Sequence, residues 1–157
     1  MLVRLLYASR AVESIGPDLV GEVLAESRAG NVEHGITGVL CVCQSGDVFM
    51  QVIEGGRTEV NRLYGNLLRD RRHRDVMLLD YEEILVRRFA GWRMGCVDLS
   101  KVNVSTVLKY SDHPQLDPFA TSGKVALALL EELIDTAAIV GRGEGQSRIA
   151  DSRHAPR

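Results

Sequence analysis

The sequence has no strong excess of charge and no long apolar run. Its 157 residues carry a formal net charge of −2 at pH 7, which gives no broad attraction to nucleic acid or to an acidic membrane. A helix that crosses a bilayer needs about 20 apolar residues in succession, and no segment reaches that length. Met1 leads directly into a strand-like segment rather than into a signal peptide. We therefore expect a cytoplasmic protein without a nucleic-acid or membrane partner.

Cysteines and phosphate-binding loops are also scarce. Of the three cysteines, Cys41 and Cys43 alternate on one predicted strand, where they share a face but lie too far apart for an easy disulfide. This pattern indicates a reducing environment. The four histidines and the cysteines lack the spacing of metal ligands. The glycine-rich stretch GRGEG, 141–145, matches neither a P-loop nor a dinucleotide-binding fingerprint.

The sequence does contain alternating strand-like and helical segments, in a length typical of one domain. Apolar runs predict five strands, at 2–8, 36–43, 48–53, 76–83 and 92–99. Helices are predicted from Pro17 to near Gly30 and from Thr58 onward, with a turn at 44–47. The order β-α-β-β-α-β is typical of the ferredoxin-like α+β fold, with two helices on one face of an antiparallel sheet. That fold places its first and third strands side by side at the centre, and the fifth strand is an addition.

Two further helices are predicted after the sheet, at 100–110 and 119–140. The second carries apolar residues at helical spacing: Val125, Leu129, Leu130, Leu133, Ala137 and Val140. We expect it to pack on the exposed face of the sheet, with a second subunit as the alternative. The expected organisation is a folded domain at 1–99, a helical extension at 100–140 and a disordered tail at 141–157, which has little apolar content.

Two polar residues occupy strand positions where the pattern favours apolar side chains. Tyr7 shares a face of the first strand with Leu5, and Gln51 shares a face of the third strand with Phe49. Because these strands are predicted neighbours, the two polar side chains are within cross-strand reach. A buried glutamine needs partners for its acceptor and two donors, so the pair is either satisfied within the core or faces a ligand between the helices. Asn31, at the end of the first helix, either caps that helix or lines the same site.

Five stretches occur in order over roughly residues 2–98: LLYASR, NVEHGITGVL, FMQVIEG, RDRRH and FAGWRM. Together they resemble the BLUF family of blue-light sensors that use a bound flavin. Each stretch is weak evidence alone, whereas five in order on the predicted fold are specific. The resemblance implies that FAD lies between the two helices without a covalent bond.

The resemblance also implies roles for residues around the flavin ring. Asn31 would hydrogen-bond the polar edge of the ring, because a carboxamide offers a donor and an acceptor together. Gln51 would bridge Tyr7 and the flavin. Ser27, one helical turn before Asn31, would orient the glutamine, and a plain surface position is the alternative.

Further site residues follow from the last two stretches. Asp70, Arg72 and His73 would touch the ribityl chain or the phosphates, although DRRHRD is also typical of a solvated, charged helix end. Trp92 and Met94 are predicted to alternate on one face of the fifth strand, where the resemblance implies that they relay the signal. Core packing is the alternative for Trp92.

The family mechanism implies a light-driven change in hydrogen bonding rather than turnover of a substrate. Tyr7 gives an electron and a proton to the excited flavin and recovers them, while Gln51 rearranges and the absorption shifts to the red. We therefore expect a photoreceptor and not an enzyme. The sequence after residue 98 is too short for a cyclase or phosphodiesterase domain, so we expect the signal to pass to a protein partner or within a homo-oligomer.

Two other classes of function share the predicted fold. An acylphosphatase-like hydrolase would use an arginine in the first loop, where Arg10 lies, together with an asparagine such as Asn31. The stretch SRAVESIG, however, lacks a glycine-rich nest for phosphate, and Asn31 precedes its strand. A flavin-free scaffold would instead bind a protein through the helix at 119–140.

Overall fold

The computed structural model describes residues 1–43 and 47–141. In chain order the strands are β1 (Leu2–Ala11), β2 (Thr37–Cys43), β3 (Val48–Gly56), β4 (His73–Ile84) and β5 (Gly95–Asp98). The α-helices are α1 (Pro17–His34), α2 (Arg57–Arg69), α3 (Val104–Leu108) and α4 (Gly123–Leu133), and a 3₁₀ helix covers Leu99–Lys101. The predicted turn at 44–47 lies outside the described residues except for Asp47, and so does the predicted tail except for Gly141.

The five described strands form one sheet in the order β4-β1-β3-β2-β5. The strand β1 lies inside the sheet, next to the middle strand β3, and is antiparallel to both β3 and β4, while β2 is antiparallel to β3. These four strands with α1 and α2 confirm the predicted ferredoxin-like α+β fold. The added strand β5 lies at the edge and runs parallel to β2, so the complete sheet is mixed rather than antiparallel.

Helix α1 begins where the sequence predicts and ends one turn later. Pro17 stands at the first helical position and Asp18 follows in the first turn, where a carboxylate is favourable next to the helix dipole. The helix passes through Gly30 and ends at His34, because Gly35 takes the left-handed conformation with φ 64° and its N–H bonds to the carbonyl of Asn31. Asn31 therefore lies within the last turn of the helix. Its backbone carbonyl, and not its side chain, closes the helix end.

The sheet is covered on both faces, which explains why nearly every residue of β1 is buried. On one face α1 and α2 enclose a cluster that includes Val3, Leu5, Phe49, Ile53 and Met94. On the other face, α4 contributes Leu129 and Leu130 to a second cluster. They pack there with Leu6, Met50, Val52 and Trp92. The expectation that the C-terminal helix packs on its own sheet is confirmed. Its buried leucines are consequently unavailable to a protein partner.

The C-terminal helices are shorter than predicted. The segment predicted as one helix at 119–140 is helical only over Gly123–Leu133, and the segment 100–110 forms the 3₁₀ helix and α3. Backbone pairing explains the early end of α4. The N–H of Val140 donates to the carbonyl of Cys96 at 3.0 Å, and the N–H of Cys96 donates to the carbonyl of Val140 at 2.9 Å, which a continuous helix would prevent.

The described residues contain neither a membrane-crossing helix nor a disulfide. Within them, every helix is too short or too polar to cross a bilayer. Cys41 and Cys43 are buried free thiols, and Cys96 is partly buried. Burial raises the pKa of all three thiols, that of Cys43 to about 12, so they stay protonated and weakly nucleophilic at neutral pH.

Candidate functional site

A cavity of about 340 Å³ lies between α1, α2 and the face of the sheet that these helices cover. Its apolar walls come from α1, β2, β3 and α2, and they include Val23, Ile36, Leu40, Phe49, Leu63 and Leu67. The polar residues predicted for the site all line the same cavity: Tyr7, Ser27, Asn31, Gln51, Asp70, Arg72 and His73. An apolar cavity with a few convergent polar groups is typical of a site for a small molecule.

Tyr7 and Gln51 meet in this cavity because β1 and β3 pair them directly across the sheet. Both are buried, and the Tyr7 hydroxyl donates to Gln51 Oε1 at 2.5 Å. Burial raises the pKa of the Tyr7 phenol well above its ordinary value, with Asp70 and Tyr64 adding smaller effects. The phenol is therefore a neutral hydrogen-bond donor at physiological pH. The cross-strand contact predicted from the sequence is confirmed.

The Gln51 amide is oriented by a second contact. Its Nε2 donates to the sulfur of Met94 at 3.2 Å, so that the amide bridges a phenol on β1 and a thioether before β5. In the described part of the chain, these two contacts are the hydrogen bonds of the Gln51 side chain, which leaves one N–H of Nε2 without a protein acceptor. Ser27 makes no hydrogen bond to Gln51 there, so the structure does not bring the two together.

Asn31 is buried on the last turn of α1, with one end of its amide engaged. Its Nδ2 donates to the backbone carbonyl of Arg93 at 3.0 Å, which ties α1 to the segment before β5. Among residues 1–43 and 47–141, no group donates to its Oδ1. The cavity thus contains an acceptor on Asn31 and a donor on Gln51. This set fits the polar edge of a flat heteroaromatic ring, while the apolar walls fit its faces.

Asp70, Arg72 and His73 lie at the cavity but are engaged with protein groups. The guanidinium of Arg72 donates to Asp70 at 2.6 Å and to Glu26 on α1 at 2.8 Å, and the bond to Asp70 lowers the pKa of that carboxyl. The ring of His73 donates from Nε2 to the carbonyl of Leu67 at 2.5 Å, and its Nδ1 is 2.8 Å from Ser9 Oγ. These contacts hold α1 and the end of α2 together across the cavity.

The prediction that Trp92 and Met94 share a face of the fifth strand is wrong. The strand β5 starts at Gly95, and both residues precede it in a loop that turns where the Trp92 N–H donates to the carbonyl of Phe89 at 3.1 Å. Met94 is fully buried on the cavity side of the sheet, beside Gln51. Trp92 is buried in the cluster on the opposite side. Strict alternation does not apply outside a strand.

Sequence reasoning missed two charged residues that support the site. Arg28 on α1 donates through Nε and Nη2 to the backbone carbonyl of Met94, at 3.2 and 3.1 Å, and nothing in its surroundings in the sequence points to this contact. Glu54 is fully buried on β3. The sequence does contain a signal for Glu54, because alternation places it on the same inward face as Met50 and Val52. A buried carboxylate there requires a charged partner, and Arg4 on the paired strand is that partner.

The arrangement needed by an acylphosphatase-like site is absent from the described residues. Arg10 lies 4.2 Å from the ring centroid of Phe119 and lines a separate cavity with Cys43. Asn31 lines the cavity between α1 and α2. Within the described part of the chain, no group of histidine, cysteine and carboxylate residues is placed to hold a metal ion.

A ferredoxin-like sheet with an amphipathic cavity under its two helices defines a small-molecule-binding domain. Comparison with known families identifies its kind: the BLUF family, described as sensors of blue light using FAD, matches residues 2–95. The chain belongs to the BLUF family. The predicted resemblance is confirmed, and the family's cofactor is a flavin. A search of curated proteins finds no match.

Solved structures agree with this assignment. The photo-activated state of BlsA is 28% identical, with a TM-score of 0.75, and the alignment covers 88% of this chain and 98% of BlsA. The dark state of BlrB, a BLUF protein, is 30% identical, with a TM-score of 0.70 and coverage of 85% and 94%. A bacterial light-regulated adenylyl cyclase is 28% identical over 69% of this chain, with a TM-score of 0.63, and the chain spans only 33% of it.

Proposed function

We propose that the chain binds FAD non-covalently in the cavity between α1 and α2 and reports blue light through the hydrogen bonds of Tyr7 and Gln51. The observation that carries this proposal is the 2.5 Å bond from the Tyr7 hydroxyl to Gln51 Oε1, buried at the face of a cavity whose free polar groups fit a flavin edge. When bound, FAD would supply the absorption of blue light and, once excited, a strong oxidant.

The protein groups would perform the rest of the response. Asn31 would bind the ring edge through Oδ1, because its Nδ2 is already bonded to the Arg93 carbonyl. Tyr7 would release and recover an electron and a proton. Gln51 would change partners in the meantime, since each of its amide atoms is held by a single protein contact. The charged residues Asp70 and Arg72 would contact the tail of FAD after exchanging some of their present contacts.

The output belongs to the same proposal. From the match to the BLUF family, we infer that the chain is a photoreceptor rather than an enzyme. Met94 contacts Gln51 directly and is the first residue of the relay, whereas Trp92 would act from the opposite face of the sheet. The signal would pass to a cytoplasmic protein partner or through a homo-oligomer.

The absorption spectrum of the purified protein, taken before and after brief blue illumination, tests the proposal. We expect a flavin band that moves reversibly to the red in the light, and acid extraction should release FAD. A flavin band that bleaches or stays still would show that Tyr7 and Gln51 do not act as proposed. A colourless protein that takes up no FAD on reconstitution would reject the photoreceptor function.

A further inference from the structure

Glu54 is a fully buried carboxylate on β3, three residues after Gln51 and on the opposite face of the sheet. A buried carboxylate is costly unless it is paired and hydrogen-bonded. Arg4 donates from Nε to Glu54 Oε1 at 2.8 Å, and the backbone N–H groups of Arg88 and Phe89 donate to Oε1 and Oε2, both at 3.1 Å. The two carboxylate oxygens therefore join the centre of the sheet to the loop between β4 and β5.

That loop carries the relay residue. From Phe89 the backbone turns at Trp92, whose carbonyl accepts the N–H of Gly38 at 2.9 Å, and it then reaches Met94. The Met94 sulfur accepts the bond from Gln51 at 3.2 Å. Gln51 and Glu54 lie on the same rigid strand, so the loop is fixed to β3 at Arg88–Phe89 and touches β3 again at Met94.

This double attachment has a mechanical consequence. Arg28 holds the Met94 carbonyl at the end of the loop, and Glu54 holds Arg88 and Phe89 at its start. When the Gln51 amide rearranges, a loop held at both ends keeps Met94 in place, so the contact between the amide and the sulfur breaks instead of moving with the amide. Two discrete arrangements separated by a barrier result, as a bistable element requires. A loop released from Glu54 would keep its contacts with Arg28, Asn31 and Gly38 near Met94 but lose those at its start. Met94 would then follow the amide more readily, and the barrier between the two arrangements would fall.

We propose that Glu54 is a positioning residue that sets the lifetime of the light-adapted state by fixing the loop that carries Met94. This inference rests on the proposed photoreceptor function. Glu54 touches neither the cavity nor Gln51, so its effect is on the return reaction and not on flavin binding or on the size of the red shift.

The test is the substitution Glu54→Gln, followed by time-resolved recovery of the absorption in the dark. The N–H groups of Arg88 and Phe89 bond different oxygens of Glu54, and in a glutamine one of these oxygens is replaced by an NH2 group, which donates and cannot accept. The charge that pairs with Arg4 is lost as well. We expect a red shift of the wild-type size and a recovery about tenfold faster, which corresponds to a barrier lower by about 1.4 kcal/mol. Glu82→Gln is the matched control, because Glu82 also accepts from Arg4, at 2.9 Å, but bonds to no loop amide. Its recovery should stay within about twofold of the wild type.

Three results would overturn the positioning role: recovery of Glu54→Gln that is unchanged or slower, an equal acceleration in Glu82→Gln, or loss of the red shift while flavin stays bound. Hydrogen exchange of the wild-type protein gives a second test, which can be carried out even if the variant does not fold. The amides of Arg88 and Phe89 should stay protected in the dark and in the light, with light-induced changes confined to 92–96. Loss of their protection in the light would contradict the proposal.

Failure of the photoreceptor function is recognised separately. If the wild-type protein shows no red shift, that function fails whatever Glu54 does. Dark hydrogen exchange still reports on the anchor, because Glu54→Gln should expose the amides of Arg88 and Phe89 to exchange. Unchanged protection in the variant would overturn the structural role of Glu54 itself.

Discussion

Gln51 holds its amide between two partners of unequal strength. The phenol of Tyr7 donates a short bond to Oε1, whereas the sulfur of Met94 is a weak acceptor for Nε2. If the amide turned over, its oxygen would face the sulfur, which has no proton to donate, and the contact with Met94 would be lost. The present orientation is therefore the more stable one in the dark. If the chain responds to light as proposed, this asymmetry would give a physical reason for its recovery in the dark.

At the scale of single residues, we predict that Tyr7→Phe retains FAD and loses the red shift. The ring still fills its place in the core, but the group that donates the proton and orients Gln51 is gone. Absorption spectroscopy before and after illumination measures both properties. Tyr64→Phe is the matched control, since the Tyr64 ring lies 6.0 Å from that of Tyr7 and is only partly buried. A wild-type photocycle in Tyr7→Phe would contradict the assigned role.

We also predict that Gln51→Leu keeps most of the flavin affinity and loses the red shift. Affinity comes chiefly from the apolar walls, and leucine fills a similar volume beside Leu40 and Phe49. Fluorescence titration with FAD measures the affinity, and illumination of the complex measures the shift. Complete loss of binding in this variant would instead assign Gln51 a structural role.

The sequence was informative about residues on the central strands and less so about those in loops. The Tyr7–Gln51 pair followed from strand alternation and the predicted neighbourhood of β1 and β3, and both hold over paired strands. The sequence could not predict that Gln51 bonds to Met94 or that Asn31 bonds to Arg93, because both acceptors lie in a loop. Loop conformation depends on contacts such as the Glu54 anchor, which lie far away in sequence.

At the scale of elements, helix α4 and the cavity lie on opposite faces of the sheet. Packing of α4 should therefore contribute to stability without changing the flavin spectrum. We predict that Leu130→Ala, which removes a fully buried side chain, destabilises the fold by about 2–5 kcal/mol. The control Leu108→Ala, at a position 49% exposed, should cost well under about 1 kcal/mol. Urea unfolding and the flavin spectrum measure the two properties; a displaced flavin band in Leu130→Ala would contradict the separation.

Element boundaries followed from the sequence where local signals decide them. Pro17 and the strand–turn pattern predicted the start of α1 and the β2–β3 pair, while the end of α4 and the extent of β5 depended on distant partners. Residues 134–140 have a composition compatible with helix, yet Val140 pairs with Cys96 on β5. Tertiary pairing outweighed local propensity there.

At the scale of the whole molecule, two buried thiols and one buried phenol should lower the free energy of unfolding at alkaline pH. The pKa values of Cys41, Cys43 and Tyr7 are raised in the folded state, so their contribution is fully present below the unfolded values. We predict constant stability from neutral pH to about pH 8, then a decline as the unfolded cysteines, with a pKa of about 8.5, release protons that the folded chain retains. Each group adds at most about 1.4 kcal/mol per pH unit.

The measurement is the free energy of unfolding in urea between about pH 7 and pH 11. Tyr7→Phe should decline less steeply than the wild type above about pH 10, where an unfolded tyrosine ionises. The difference between the two curves isolates Tyr7 from the exposed lysines and tyrosines. Parallel curves would show that the phenol is not held neutral by burial.

The pairing of β1 has a consequence for the order in which the chain can fold during synthesis. Leu2 pairs with Gly56 on one side and with Ile84 on the other, so the first strand made is completed by strands that leave the ribosome much later. Contacts this distant in sequence are slow to form, because a long loop must close first. Until β3 and α2 have been synthesised, β1 exposes an apolar segment without partners, and the pocket for the flavin does not yet exist. Nascent chains in which β4 has not yet been synthesised are therefore the ones most dependent on chaperones.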